Sequence, residues 1–296
     1  MIKYAFSLFL VVSQFFSYSQ EKSLARLRYQ VDSLCHQQKT EFAVAFKDLS
    51  THETLFINEH ELFHAASTMK TPVLVEIYKQ ATSGKFSLND SLTVKNEFKS
   101  IADGSVYSLS PDDDSEFELY KKIGQKVAIH DLVYLMVTVS SNFATNMLIE
   151  MVGAKNVTAS MRKMGIKDLQ VLRGVEDDKA YQKGLNNVVT AYDLMLLFEK
   201  IAKRKAVNKK SSDEMIRILL DQHFNEMIPA RLPQDVKVAH KTGWIKGINH
   251  DSGIVFLPDG REYVLVLLSK NAEDEKAAVN TLATVSEIIY KYVAGL

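Results

Sequence analysis

The sequence predicts an α+β fold, in which an antiparallel sheet built from both ends of the chain is flanked by helices and interrupted by a large helical lobe. Three observations carry that expectation. Two strand-like runs, 41–49 (EFAVAFKDL) and 53–58 (ETLFIN), stand near the start of the chain. Segments with helical periodicity fill its middle. Three further strand-like runs, 236–242, 252–257 and 262–269, precede a closing helical stretch at 273–293.

Taken in order, Lys3 precedes an apolar stretch from Tyr4 to Phe16, and Ser17-Tyr18-Ser19 supplies small residues where a signal peptidase inspects the chain. Residues 1–19 therefore read as a cleaved signal peptide, and the protein as exported, periplasmic or secreted. The apolar run is shorter than the roughly 20 residues a spanning helix needs, which argues against a stable membrane anchor. Leu24, Leu27, Val31 and Leu34 recur at helical spacing and give an amphipathic helix ending near Cys35. Cys35 is the sole cysteine, so it has no intramolecular disulfide partner, and packing beside that helix is its expected role. Ser50-Thr51-His52 joins the first two strands as a hairpin. Helical periodicity returns at 70–82, 129–139, 142–152 and 190–203, and Asp259-Gly260 marks a tight turn between the last two strands. Residues 20–296 read as one catalytic unit: an α/β lobe from 20–66 plus 230–296, a helical lobe over 67–229, and a cleft between them as the natural site.

Composition narrows the function. The chain is 46% hydrophobic and 24% charged, an ordinary globular balance, and its formal net charge of +0 offers no basic field for nucleic acid or anionic lipid. The acidic stretch Asp112-Asp113-Asp114 lacks the spaced oxygen ligands and turn glycine of a calcium loop and reads as a solvated surface loop.

Residues 67–70 read STMK and are followed by Val73, Leu74, Ile77 and Tyr78, a stripe that sets Ser67 at or beside a helix start, with Gly84 as the stop. Ser67 and Lys70 then share one face, less than a turn apart, so the amine can reach the hydroxyl. A serine hydroxyl needs a neighbouring base to act as a nucleophile. Lysine can be that base only with a depressed pKa, which burial, a nearby cation and a helix N-terminus all favour. S-x-x-K is weak by itself, since a capping serine followed by a surface lysine is common. Ser140-Ser141-Asn142 falls between two apolar helical runs, where helix capping is the plain alternative. Lys241-Thr242-Gly243 ends a Val236-Val238-His240 alternation that reads as a strand.

In the order S-x-x-K, S-x-N, K-T-G, these residues resemble the motif set of the class A β-lactamases and penicillin-binding proteins, over roughly residues 40–270. The resemblance implies a β-lactamase/transpeptidase-like fold and a serine hydrolase working without metal or cofactor. It further implies a monomer that acts on a small-molecule β-lactam or a peptidoglycan-like substrate through a Ser67 acyl-enzyme released by water. It also implies roles. Ser67 attacks the carbonyl, Lys70 handles its proton, and Ser140 passes a proton to the leaving nitrogen. Asn142 holds substrate. Lys241 and Thr242, with Gly243 completing the motif, bind the substrate carboxylate, and the N–H groups of Ser67 and Trp244 form the oxyanion hole. The side chain of Trp244, the only tryptophan, reads as packing.

The chain departs from that pattern in three places. A class A enzyme needs a carboxylate to activate the deacylating water, normally followed four residues later by Asn. Glu176, in RGVEDDKA, is the candidate, but Ala180 stands where the Asn should be. The nearest amides, Asn186 and Asn187, serve only if the loop folds differently. Ser141 replaces the usual Asp. The segment after the third motif, WIKGINHDSG, holds no Arg, which leaves Lys246 to meet a substrate carboxylate. A D,D-peptidase would share the three motifs without needing Glu176. Two rival chemistries are weaker. His60-Glu-Leu-Phe-His64 matches a zinc motif, but a continuing strand would hold its imidazoles about 13 Å apart, too far for one metal. His130, His240 and His250 could be bases in a Ser-His scheme, but no G-x-S-x-G surrounds Ser67.

Overall fold

The computed structural model describes residues 24–296, so the signal peptide expected over 1–19 lies outside the described residues. Helix α1 (24–35) leads into β1 (Glu41–Asp48) and β2 (Thr54–Ile57). A short β3 (Phe63–His64) and a 3-10 turn over Ala66–Met69 open α2 (Lys70–Thr82). Short strands β4 (Ser91–Thr93), β5 (Phe98–Lys99), β6 (Val106–Tyr107) and β7 (Lys126–Ala128) precede α3 (Ile129–Thr138), α4 (Asn142–Val152), α5 (Ala154–Lys163) and α6 (Asp178–Gln182). After β8 (Val188–Val189) come α7 (Ala191–Ala202) and α8 (Lys209–Leu220). The chain returns through β9 (Lys237–Ile245), β10 (Ile248–Phe256) and β11 (Glu262–Lys270) to α9 (Glu275–Ala294).

The main sheet has the order β2-β1-β11-β10-β9 with antiparallel pairing throughout. The two ends of the chain therefore meet at β1–β11, as the strand-like runs predict. Both strands are apolar almost without interruption because both faces of the sheet are covered. Phe42, Val44 and Phe46, with Tyr263, Leu265 and Leu267, enter a core shared with Leu27 and Val31 of α1 and with Leu282, Val285 and Ile289 of α9. Ala43 and Ala45, with Val264, Val266 and Leu268, enter the opposite core beneath the helical lobe. The alanines lie on the side where α7 packs across the sheet. A one-residue slip of β1 would drive phenylalanines against that helix, so the register is strongly specified. Cys35 is buried in the α1/α9 core, and burial pushes its thiol up to about 12.

Several local readings need correction. Helices α5 and α8 escape sequence periodicity because they bury little: α5 commits only Val157, Ser160 and Met161 to the interior. α8 opens with the polar run KKSSDE behind an Asn208 cap. Strands β9 and β10 are longer than expected, since WIKGIN is itself a hairpin, with Ile245 opposite Ile248 and Gly247 at φ 76° in the turn. His60–Leu62 is not strand; only Phe63–His64 pairs, with β8. Among the described residues no helix is long and apolar enough to cross a membrane.

Candidate active site

The segment of the candidate nucleophile, Ser67, is shaped before it becomes helical. Ala66 has φ 43°, a left-handed conformation that costs a residue with a Cβ about 1 kcal/mol or more. Its N–H is caught by His64 Nδ1 at 3.1 Å, and the preceding Ala65 N–H donates to the Asn187 carbonyl at 2.8 Å. Burial, with Arg173 nearby, pushes the His64 imidazole down to about 4, so the ring stays neutral and keeps that acceptor at neutral pH. Ser67 follows in the 3-10 turn and Lys70 is the first residue of α2. β9 lies directly against this turn. A Cβ on Gly243 would sit 3.0 Å from the backbone nitrogens of both Ser67 and Thr68, so the third motif needs glycine for the close approach.

Lys70 is fully buried. Its Nζ donates to the Ser140 carbonyl (2.6 Å), Ser140 Oγ (3.1 Å) and Asn142 Oδ1 (2.9 Å). Among the described residues no hydrogen bond joins it to Ser67 Oγ; the amine leans instead on the second motif. Lys241, also fully buried, donates to the same Ser140 Oγ at 3.0 Å and to the Thr242 carbonyl at 2.9 Å. Burial lowers Lys70 to about 7, against the pull of Asp114 and Glu176. Burial and then the charge of Lys70 hold Lys241 well below the ordinary lysine value, against Asp251. Two amines thus converge on one hydroxyl where a second positive charge is disfavoured. Ser140 itself has φ 59° in the three-residue link between α3 and α4.

Asn142 Nδ2 donates to Glu176 Oε1 at 3.1 Å while its Oδ1 receives Lys70, so one amide joins the first motif to the candidate water-activating carboxylate. Glu176 has φ 57°, and burial, then Asp178 and Asp113, raise its pKa against Lys70 and Arg173. The loop carrying it is pinned from both sides. Asn146 accepts from the Val175 N–H (2.7 Å) and donates to the Val175 carbonyl (2.9 Å). Asn187 Oδ1 accepts from the N–H groups of Leu172 and Arg173, and its Nδ2 donates to the Arg173 carbonyl. Asn186 Oδ1 accepts from Arg173. Both amides weighed as water holders are therefore occupied in building the loop, and the amide that reaches Glu176 is Asn142.

Three other expectations change. Asp112-Asp113-Asp114 is not simply a solvated loop: all three line the cavity, and half-buried Asp114 binds the N-terminus of α4. The Trp244 indole is exposed, with Nε1 donating to Glu275 Oε2 at 2.8 Å, while Glu275 Oε1 receives the Gly247 N–H. It forms a cavity wall and is not packed. Arg231 and Lys276 line the same cavity, cations that sequence could not place there because they lie outside the segment following the motif.

Ser67, Ser140, Asn142, Glu176, Thr242 and Trp244 all border this cavity of about 1060 Å³. A smaller one of about 290 Å³ adjoins, bordered by Ser67, His64, Arg173, Glu176 and Lys246. The histidine alternatives lie elsewhere. His240 is buried between Asp251 (2.8 Å) and Asn225 (3.2 Å), His250 bonds the His64 carbonyl, and His130 is exposed beside Asp131. His60 packs against Tyr192 with the rings tilted at 49°, and among the described residues no group of three or more His, Cys, Asp and Glu could hold a metal ion.

The sequence profile of the Beta-lactamase enzyme family matches residues 26–293. The extended-spectrum β-lactamase PER-1 of Pseudomonas aeruginosa is 26% identical over 96% of this chain and 92% of its own. A β-lactamase from Bacteroides uniformis is 22% identical over 91% and 92%. Among solved structures, PBP-A superposes with a TM-score of 0.80 at 27% identity, covering 92% of this chain and 97% of its own, and a variant of it forms an acyl-enzyme complex with penicillin G. With the profile spanning nearly all of the described residues and the three motifs gathered on one cavity, the chain belongs to the β-lactamase enzyme family, as a divergent member with the class A fold.

Proposed function

We propose that this protein is an exported serine hydrolase that opens β-lactam amides through an acyl-enzyme on Ser67 and releases the product with water. The observation that carries the reading is Ser140 Oγ, held at 3.1 Å by Lys70 and 3.0 Å by Lys241 beside the nucleophile turn, with Asn142 linking that pair to Glu176. Neutral Lys70 takes the Ser67 proton as Oγ attacks the carbonyl carbon, and the oxyanion forms against the N–H groups of Ser67 and Trp244. The proton passes through Ser140 Oγ to the nitrogen as the C–N bond breaks. Lys241 and Thr242 receive the substrate carboxylate. Ionised Glu176 then takes a proton from water attacking the ester, which frees Ser67.

The likeness to PBP-A supports a second reading, a D,D-peptidase-like enzyme that acylates readily and deacylates slowly. Intact-protein mass after mixing with excess penicillin, with β-lactam hydrolysis followed in the same tube, separates the two. Sustained turnover with a transient adduct on Ser67 is expected. A stable one-to-one adduct selects the peptidase reading, and undiminished turnover by Ser67→Ala overturns both. N-terminal sequencing of exported protein is expected to start after residue 19.

A further inference from the structure

The second motif carries Ser141 where the family pattern has Asp, yet a carboxylate from another segment, Asp114, lies against Ser141 at 3.3 Å. We propose that Asp114 is a positioning residue that supplies the missing carboxylate from another segment, holding Ser140 and Asn142 in register with Lys70. Asp114 Oδ1 accepts from the Asn142 N–H at 3.0 Å and the Glu116 N–H at 3.2 Å. Its Oδ2 accepts from the Phe143 N–H (2.8 Å), Tyr120 Oη (3.1 Å) and Ser141 Oγ (3.3 Å). Ser141 in turn caps α4 by accepting from the Ala144 N–H at 3.2 Å. The hydroxyl sits in the motif and the acid on the facing loop. Negative charge at a helix N-terminus, bonded to two of its free N–H groups, is the arrangement that fixes such an end most firmly.

The consequence reaches the chemistry through two neighbours. Ser140, at φ 59°, persists in that conformation only if its surroundings over-determine it, and it is bonded into the chain immediately before the residues Asp114 holds. Ser140 and Asn142 together supply every acceptor of Lys70 Nζ. The loop is anchored in return, since Ser115 Oγ donates to the Val139 carbonyl and Asn96 pairs with the backbone of Leu109. The Asp114 charge also opposes the lowering of Lys70, as does Glu176, while Lys241 faces Lys70 from β9.

The test uses Asp114→Asn, Asp114→Ser and the exchange Asp114→Ser with Ser141→Asp, with melting temperature recorded for each. Ser67 labelling by a fluorophosphonate, which needs an activated serine but no β-lactam recognition, is measured across pH beside penicillin acylation. Both single variants are expected to label about tenfold or more slowly, the scale of a lost charge-assisted bond, with the acidic limb of the rate moved to lower pH. The exchange is expected to recover most of the rate and return the limb. Single variants with the native rate and profile, losses that track melting temperature with the limb unmoved, or an exchange no faster than Asp114→Ser would each overturn the proposal. The inference rests on the hydrolase reading, and the two fail separately: native protein that labels but is inert to penicillin refutes the β-lactam substrate and leaves the Asp114 test standing.

Discussion

Replacing Lys70 with Met should abolish acylation and yet make the protein more stable in mild acid, because the amine is held in a site that penalises its charge. Lys70 falls from 10.5 to about 7 on folding and is fully buried. At about 1.36 kcal/mol per unit, the native state forgoes about 5 kcal/mol wherever the unfolded lysine is charged and the folded one must be charged too, that is, below pH 7. Between pH 7 and 10.5 the unfolded state binds more protons than the native state, so stability rises with pH across that window and the penalty is gone above it. Methionine fills similar volume but abandons three hydrogen bonds, at about 1 kcal/mol each. The variant is therefore expected to be about 2 kcal/mol more stable than native near pH 6, equal near pH 8.5, and about 2 kcal/mol less stable near pH 10. Release of Lys241 from its like-charged neighbour adds to the gain at the acid end. Urea unfolding of both proteins at the three pH values reads the difference directly. A stability difference that does not change with pH, or a variant weaker than native near pH 6, would refute the buried-charge account of Lys70.

Glu176→Gln should leave acylation nearly intact and slow deacylation by about 10²- to 10⁴-fold, seen as accumulating adduct in mass spectra. Since the proposed base would work ionised and burial raises its pKa, native deacylation should fail on acidification at a higher pH than an ordinary carboxylate would set. Gly243→Ala should push β9 from the Ser67 turn and cut acylation by about tenfold with little loss of melting temperature; unchanged kinetics would mean the turn yields freely. Asn187→Ala removes three backbone bonds from the Glu176 loop and should cost about 2–4 kcal/mol in chemical unfolding, and a neutral result would place the loop's anchor elsewhere.

How much was legible before folding differs by element for physical reasons. Strands β1 and β11 and helices α2, α3, α4, α7 and α9 declare themselves because each buries a stripe or face with a fixed period. α5 and α8 do not, since their interior contribution is a few residues in a polar context. In the site, Ser67 and Lys70 are legible together because a single turn brings them close, although the structure aims Lys70 Nζ at Ser140 and Asn142. Asn187 and Glu275 carry no local signal, since each acts on backbone that only the fold brings near, whereas His64 holds an N–H just two residues on.

By itself the sequence determined the α+β class and the three motifs in their order, and it singled out Ser67 as the candidate nucleophile, because periodic burial and short-range spacing are properties of a local stretch of chain. Only the tertiary structure decided that two lysines meet on Ser140, that Asn142 reaches Glu176 and that an acidic loop caps α4. Depressed pKa values and bonds between residues distant in the chain depend on burial and on approach in space, neither of which any local stretch of sequence contains.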